Sequence, residues 1–166
     1  MKYSYQLNYA AAPDEVYAML SDPAFREKVC AAGGATRHDV AVTSTGDQLT
    51  VVVDQTQPAT GIPSFAQKLV GDEINVVQTE RWSRAGTAAL DVAIPGKPVH
   101  LKGTITLTGT VTGGGNGGTV QSVQGDLKVN IPMLGAKLER PIADVLTTAL
   151  RNEERIGRVW LAAAGG

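Results

Sequence analysis

Residues 12–25, Ala-Pro-Asp-Glu-Val-Tyr-Ala-Met-Leu-Ser-Asp-Pro-Ala-Phe (APDEVYAMLSDPAF), hold two helix starts in one short stretch. Pro13 suits the first turn of a helix, where its missing N–H would be unpaired in any case. Asp14 and Glu15 follow it, at the end of a helix where the backbone dipole favours anions. Val16, Met19 and Leu20 share one face, with Tyr17 beside them. Ser21-Asp22-Pro23 then ends this helix and starts the next, with Asp22 as N-cap and Pro23 at the first position. The second helix is short and runs out by Ala31–Gly34.

The surrounding sequence reads as strand. Before the two helices, Tyr3, Tyr5, Leu7 and Tyr9 alternate with Ser4, Gln6 and Asn8, the period of a strand with one buried face. After them, from residue 36 to about 131, apolar residues alternate and are punctuated by turn residues. Val40 and Val42 belong to one run, and Leu49, Val51 and Val53 to the next, with Gly46-Asp47 as the hairpin turn between them. Pro58–Pro63 breaks the pattern, and SFAQKLV (64–70) fits a single helical turn before Ile74, Val76, Gln78, Glu80 and Trp82. Ala85-Gly86 and Pro95–Pro98 turn the chain into the runs around Leu90–Ile94 and Leu101–Leu107. Gly113–Gly118 leads into a last strand ending at Ile131. Short connections of this kind make the sheet antiparallel.

The tail changes period. At about 100° per residue, Leu138, Ile142, Val145, Ala149, Ile156, Trp160 and Ala163 fall in a sector about 60° wide, with Lys137, Arg140, Asp144, Arg151, Glu154, Arg155 and Arg158 opposite. This is one long amphipathic helix from Leu134 to Ala163, which Pro141 bends or whose true start it marks. The expected fold is α+β: a curved antiparallel sheet of 6–7 strands wrapped around a long C-terminal helix, with two short helices after the first strand plugging one end. A single helix does not cover a sheet of that size completely, so a cavity is expected between them.

The segment APDEVYAMLSDPAF after the first strand, the tail LGAKLERPIADVLTTALRNEERIGRVWL (134–161) and their separation resemble the START-like, or helix-grip, superfamily. This is the superfamily typified by the birch pollen allergen and including polyketide cyclase-like proteins. The tail is most similar to an uncharacterised bacterial family within it, a domain of unknown function. The resemblance spans residues 1–166 and implies a single START-like domain. Its superfold hosts lipid carriers, hormone receptors, cyclases and hydroxylase domains, so the resemblance speaks to fold more than to activity.

Composition excludes several functions. The chain has 166 residues and a formal net charge of −1, with no basic field for nucleic acid. One cysteine, Cys30, rules out an internal disulfide and any multi-cysteine metal site, and reads as a small packed thiol. His38 and His100 are far apart and lack ligand spacing, so neither metal nor cofactor is expected. There is no apolar run of the roughly 18 residues a membrane helix needs and no signal-peptide core at the amino terminus. The expected protein is cytoplasmic, monomeric or homodimeric. The glycine-rich run 113–118 is followed by strand-like residues rather than a helix, so it reads as a hairpin turn and not as a phosphate cradle. No GxSxG nucleophile elbow occurs.

Two features stand out chemically. Glu153 and Asn152 lie at the two edges of the apolar sector of the long helix. A carboxylate there either reaches solvent or meets a partner such as Arg81, a tyrosine or a ligand hydroxyl. Gln78, Glu80 and Trp82 share the parity of Ile74 and Val76, and both orientations of that strand are open. One offers polar groups and an indole to the interior; the other points Val77 and Thr79 inward. The expected ligand is a hydrophobic small molecule, lipid or polyketide-like, held by Tyr5, Tyr9, Trp82, Leu138, Ile142, Ala149, Glu153 and Ile156. No catalytic residue is assigned, although Glu153 or Glu80 could serve as acid/base in an enzyme of the same fold, with a tyrosine assisting. The segments Pro58–Leu69 and Pro95–Pro98 are the expected gate elements.

Overall fold

A computed structural model describes residues 1–84, 86–110 and 117–165. The turn residue Ala85 and positions 113–116 of the glycine-rich run lie outside the described residues. The element order is β1 (Lys2–Tyr9), α1 (Pro13–Leu20), α2 (Pro23–Ala32), β2 (Arg37–Thr45), β3 (Gln48–Pro58), α3 (Ser64–Val70), β4 (Glu73–Arg84), β5 (Thr87–Ala93), β6 (Val99–Thr110), β7 (Gly118–Val129) and α4 (Gly135–Ala164). The fold is the α+β helix-grip arrangement.

Local chemistry sets the ends of the early helices. Pro13 and Pro23 occupy their first turns, and Glu15 Oε2 reaches back to accept from the Ala12 N–H at 2.9 Å. Asp22 Oδ1 accepts from the Ala24 N–H at 2.9 Å, the cap read from the sequence. Segment 64–70 is an α-helix held down by Ala66, which packs in a small second core with Val99, Val129 and Leu138.

All seven strands join one antiparallel sheet in the order β1-β7-β6-β5-β4-β3-β2, so the first strand lies beside the last. The pairing register fixes which parity faces α4. Tyr3, Tyr5, Leu7 and Tyr9 of β1 stand opposite Gly125, Val123, Gln121 and Thr119 of β7, all on the inner face. On β4 the inner residues are Ile74, Val76, Gln78, Glu80 and Trp82, which settles the open parity: Glu80 is 1% and Trp82 0% exposed.

One glycine pair lets β6 and β7 approach closely. Gly103 of β6 and Gly125 of β7 face each other in register. A Cβ on Gly103 would sit 1.8 Å from the Gln124 carbonyl oxygen, and one on Gly125 2.6 Å from that of Lys102. Backbones this close leave no room for a side chain at either position, so both are glycine.

Helix α4 runs unbroken through Pro141, which therefore does not mark its start. The proline leaves the Lys137 carbonyl without its intrahelical donor. The buried stripe of α4 is wider than the sector read from the sequence. It begins at Leu138, Ile142 and Ile156 and extends round through Ala143, Leu146, Leu150 and Gly157. Ala149 and Ala163 are exposed and Val145 largely so. Glu153, expected at an edge, thus falls in the middle of the packed face, because small residues such as Ala143 and Gly157 extend that face without adding to the hydrophobic signal. Gly157 is required there: a Cβ would lie 2.7 Å from the Tyr9 ring.

Replacing Gly103 by Ala should therefore lower stability by about 1–3 kcal/mol or more through overpacking against the Gln124 backbone. A urea-denaturation midpoint measured beside the parent protein checks this.

Candidate functional site

The inner face of the sheet divides into a charged, filled part and an apolar, open part. The filled part is built around Arg26. On α2, Phe25, Arg26, Val29 and Cys30 form the inward stripe, so the guanidinium enters the interior between apolar neighbours. Its Nε donates to the Leu20 carbonyl at 2.7 Å and one NH2 group to Glu80 Oε2 at 2.7 Å; the other terminal nitrogen lies 3.7 Å from Glu153 Oε2. Glu80 also accepts from Trp82 Nε1 at 2.9 Å and from Gln78 Nε2 at 2.6 Å. Glu153 accepts from Gln121 Nε2 at 3.0 Å. Among the described residues, the Tyr9 hydroxyl and Gln121 Oε1 are the buried side-chain polar atoms without a hydrogen-bond partner.

The charges in this cluster act on one another. Burial opposes the positive charge of Arg26, and Glu80 and then Glu153 more than offset it, so its pKa is raised and the guanidinium stays ionised. Glu153 is pushed up, chiefly by burial and further by Glu80, against the opposing pull of Arg26 and Gln121. Burial and the nearby Glu153 also raise the Tyr9 phenol far above its usual range, so it is a neutral donor at every physiological pH. The Cys30 thiol is pushed up to about 11 by burial, which leaves it a packed, unreactive group.

Further along the same strands lies a pocket of about 400 Å³ between the sheet and α4. Its floor is Val92 of β5, Ile94 just after it, Val99 and Leu101 of β6, and Leu127 of β7. Ile74 and Val76 of β4 continue that surface. One wall is Ile142, Val145, Leu146 and Ala149 of α4; the facing side is the β3–α3 loop from Pro58 to Ile62, with Val29 and Gly33 at the end of α2. The loop approaches the helix closely, since a Cβ on Gly61 would lie 3.4 Å from Val145 Cγ2. The polar lining comprises Gln55 and Gln57 of β3, Thr60, and Asp144, Thr148 and Asn152 of α4. Asp144 is the one titratable group among them, at the exposed rim and 3.7 Å from Arg140.

The residues singled out from the sequence divide between these regions. Ile142 and Ala149 line the pocket. Glu153 and Trp82 belong to the Arg26 cluster, and Trp82 stacks edge-on against Tyr17 with ring centroids 5.5 Å apart. Tyr9 packs against the Gly157 backbone, Tyr5 and Ile156 pack against the main core, and Leu138 lies in the small core beneath α3. The pocket wall of β3 and β4 was not singled out from the sequence, nor was Arg26. Arg81, the partner considered for Glu153, is on the outward parity and exposed. The signal for Arg26 was its place between Phe25 and Cys30 on one helix stripe. Of the expected gate segments, Pro58–Ile62 borders the pocket, whereas Lys97 of the Pro95–Pro98 turn borders a separate groove beneath α3. Among the described residues no group of three or more His, Cys, Asp and Glu is arranged to hold a metal ion, and no helix is long and apolar enough to cross a membrane.

The architecture is the START-like, helix-grip fold. The chain belongs to a family described as "Protein of unknown function (DUF2505)", whose model matches residues 4–161. It is 30% identical over 115 residues to the uncharacterized proteins Rv0481c of Mycobacterium tuberculosis and Mb0491c of Mycobacterium bovis, matching 67% of this chain and 64% of each relative. The chain thus spans just under two thirds of the length of these relatives. Among solved structures it is similar to TTHA0849 from Thermus thermophilus (TM-score 0.64, 15% identity, 98% of this chain and 99% of that one). It is also similar to the ZhuI aromatase/cyclase from Streptomyces (0.61, 13%, 100% and 98%) and to a START superfamily protein from Mycobacterium smegmatis (0.58, 13%, 95% and 98%). At such identities the likeness is one of fold.

Two measurements test the cluster. Arg26→Met leaves two buried carboxylates without their cation and should cost about 3–5 kcal/mol in chemical denaturation. Glu153 binds its proton more tightly in the folded than in the unfolded protein, so its contribution to stability is full below the unfolded value of about 4.3 and is lost as pH rises through the higher folded value. Glu153→Gln does not titrate. The melting temperature of that variant, relative to the parent, should therefore become more favourable as pH is raised from 4 to 8.

Proposed function

We propose that residues 1–166 act as a single START-like domain that carries or senses a hydrophobic small molecule, lipid or polyketide-like, held between the sheet and α4. The observation that supports this best is the pocket itself. Its volume falls in the roughly 300–1,000 Å³ range of small-molecule sites, and most of its lining is aliphatic. Affinity would come mainly from apolar area, at roughly 25 cal/mol per Å² buried. Of the expected contact residues, Ile142 and Ala149 are the ones in place to touch such a ligand.

Binding is favoured over catalysis by where the carboxylates are. An acid/base role for Glu80 or Glu153 requires either to face the ligand. Both instead face Arg26, Gln78, Trp82 and Gln121, and the pocket lining offers no paired acid and base. The likeness to an aromatase/cyclase is one of fold and carries no such pair with it.

Protein purified from its native host, denatured and extracted, should release an apolar compound in stoichiometric amount by mass spectrometry. The neutral dye Nile red should bind the emptied protein with a rise in fluorescence. Ala149→Trp places an indole in the pocket mouth from an exposed helix position, so stability should stay within about 0.5 kcal/mol of the parent. Dye affinity should fall at least about tenfold, a loss of about 1.4 kcal/mol. An empty extract together with no dye binding would overturn the carrier or sensor role.

A further inference from the structure

Resting on the ligand-binding role just proposed, we infer that the pocket selects a neutral ligand that carries a hydroxyl group, and that Gln55 and Gln57 read that hydroxyl. The first ground is the charge of the lining. Among the described residues no Lys, Arg or His lines the pocket. Two cations touch its polar lining from the exposed side: Arg155 donates to Asn152 Oδ1 at 2.9 Å, and Arg140 pairs with Asp144. A carboxylate or phosphate drawn inside would lose water without gaining a counter-ion, and at the rim it would meet the carboxylate of Asp144.

The second ground is the hydrogen-bonding capacity that the lining leaves free. Of its six polar side chains, Asp144, Thr148 and Asn152 are engaged elsewhere by the protein, and Thr60 stands exposed on the loop. Thr148 donates to the Asp144 carbonyl at 3.0 Å, and Asn152 Nδ2 donates to the Val29 carbonyl at 3.1 Å. Gln55 and Gln57 differ. They are consecutive inward positions of β3, opposite Val76 and Ile74, and they bond to each other, Gln57 Nε2 to Gln55 Oε1 at 2.7 Å. That bond uses one N–H and one carbonyl lone pair. It leaves the Gln55 amide nitrogen and the Gln57 carbonyl oxygen directed to no other described residue. Exchanging nitrogen and oxygen in both amides again leaves one amide nitrogen and one carbonyl.

An adjacent donor and acceptor match a group that both accepts and donates. A hydroxyl does this while remaining neutral; an ether or ester oxygen only accepts, and a carboxylate only accepts while bringing charge. Both glutamines are half-buried in an otherwise aliphatic wall, where an unmatched polar group on the ligand costs affinity. The ligand's apolar body would then lie on the floor formed by Val92, Leu101 and Leu127, with its hydroxyl at the β3 wall.

The experiment is displacement of Nile red at pH 8 by three probes of equal chain length: 1-decanol, decanoate and 1-methoxydecane. Decanol should displace the dye at a concentration at least about tenfold below decanoate, a difference of about 1.4 kcal/mol. It should also act below the methyl ether. In Gln55→Leu/Gln57→Leu the dye should still bind and the advantage of the alcohol over the ether should vanish. Decanoate as effective as decanol would overturn the neutral-ligand inference. An alcohol preference unchanged in the double variant would overturn the role of the glutamines. Failure of Nile red itself to bind the parent protein would instead overturn the ligand-binding role on which both stand.

Discussion

The contacts of Arg26 with Glu80 and Glu153 tie together three distant parts of the chain. Arg26 comes from a short helix near the amino terminus, Glu80 from the middle of the sheet and Glu153 from the long final helix. A buried guanidinium is tolerated only with its counter-charges and acceptors in place, and here it has two carboxylates and the Leu20 carbonyl. The bond from Trp82 to Glu80 extends the constraint two residues along the strand. A slip of β4 by one residue would turn Glu80 and Trp82 out to solvent and leave Arg26 alone in the interior, so the cluster fixes the strand's register as firmly as the apolar residues do.

Filling one part of the grip with this cluster leaves the other part open. The early helices, Trp82, Phe25 and the tyrosines of β1 pack one stretch of the inner face solid. Beyond it β4 to β7 continue with mainly aliphatic side chains, β3 adds Gln55 and Gln57, and α4 and the β3–α3 loop border the space without filling it. The Gly103–Gly125 pair brings the backbones of β6 and β7 into close approach, while α3 is anchored separately on its own small core. The open region is therefore where the inner face of the sheet is covered by one helix and a short loop alone.

Much of the architecture is legible in local signals. Prolines after capping positions define α1 and α2, alternation defines the strands, and the change of period at residue 134 defines α4. Each depends on neighbours in sequence, so one strand or helix at a time suffices. The site is less legible because it depends on pairs. The alternation of Gln78, Glu80 and Trp82 is equally compatible with either face, and only the pairing of Gln78 with Val53 and Val92 decides it. Glu153 sits on the packed face of α4 because Tyr9 and the sheet lie against Ala143 and Gly157, residues too small to show in a hydrophobic pattern. Gln55 and Gln57 look like ordinary polar strand positions until the odd parity of β3 is seen to face inward.

By itself, then, the sequence determined the order and type of the elements, the antiparallel sheet, the long closing helix and the START-like resemblance, because these follow from capping, turn chemistry and periodicity along the chain. The tertiary structure alone decided that Arg26 neutralises Glu80 and draws Glu153 inward. It alone decided that most of the expected contact residues are core, and that the open lining is aliphatic with a glutamine pair on one wall. The reason is that burial of a charge and emptiness of a pocket are properties of surfaces brought together from distant parts of the chain, and no local pattern encodes the distance between them.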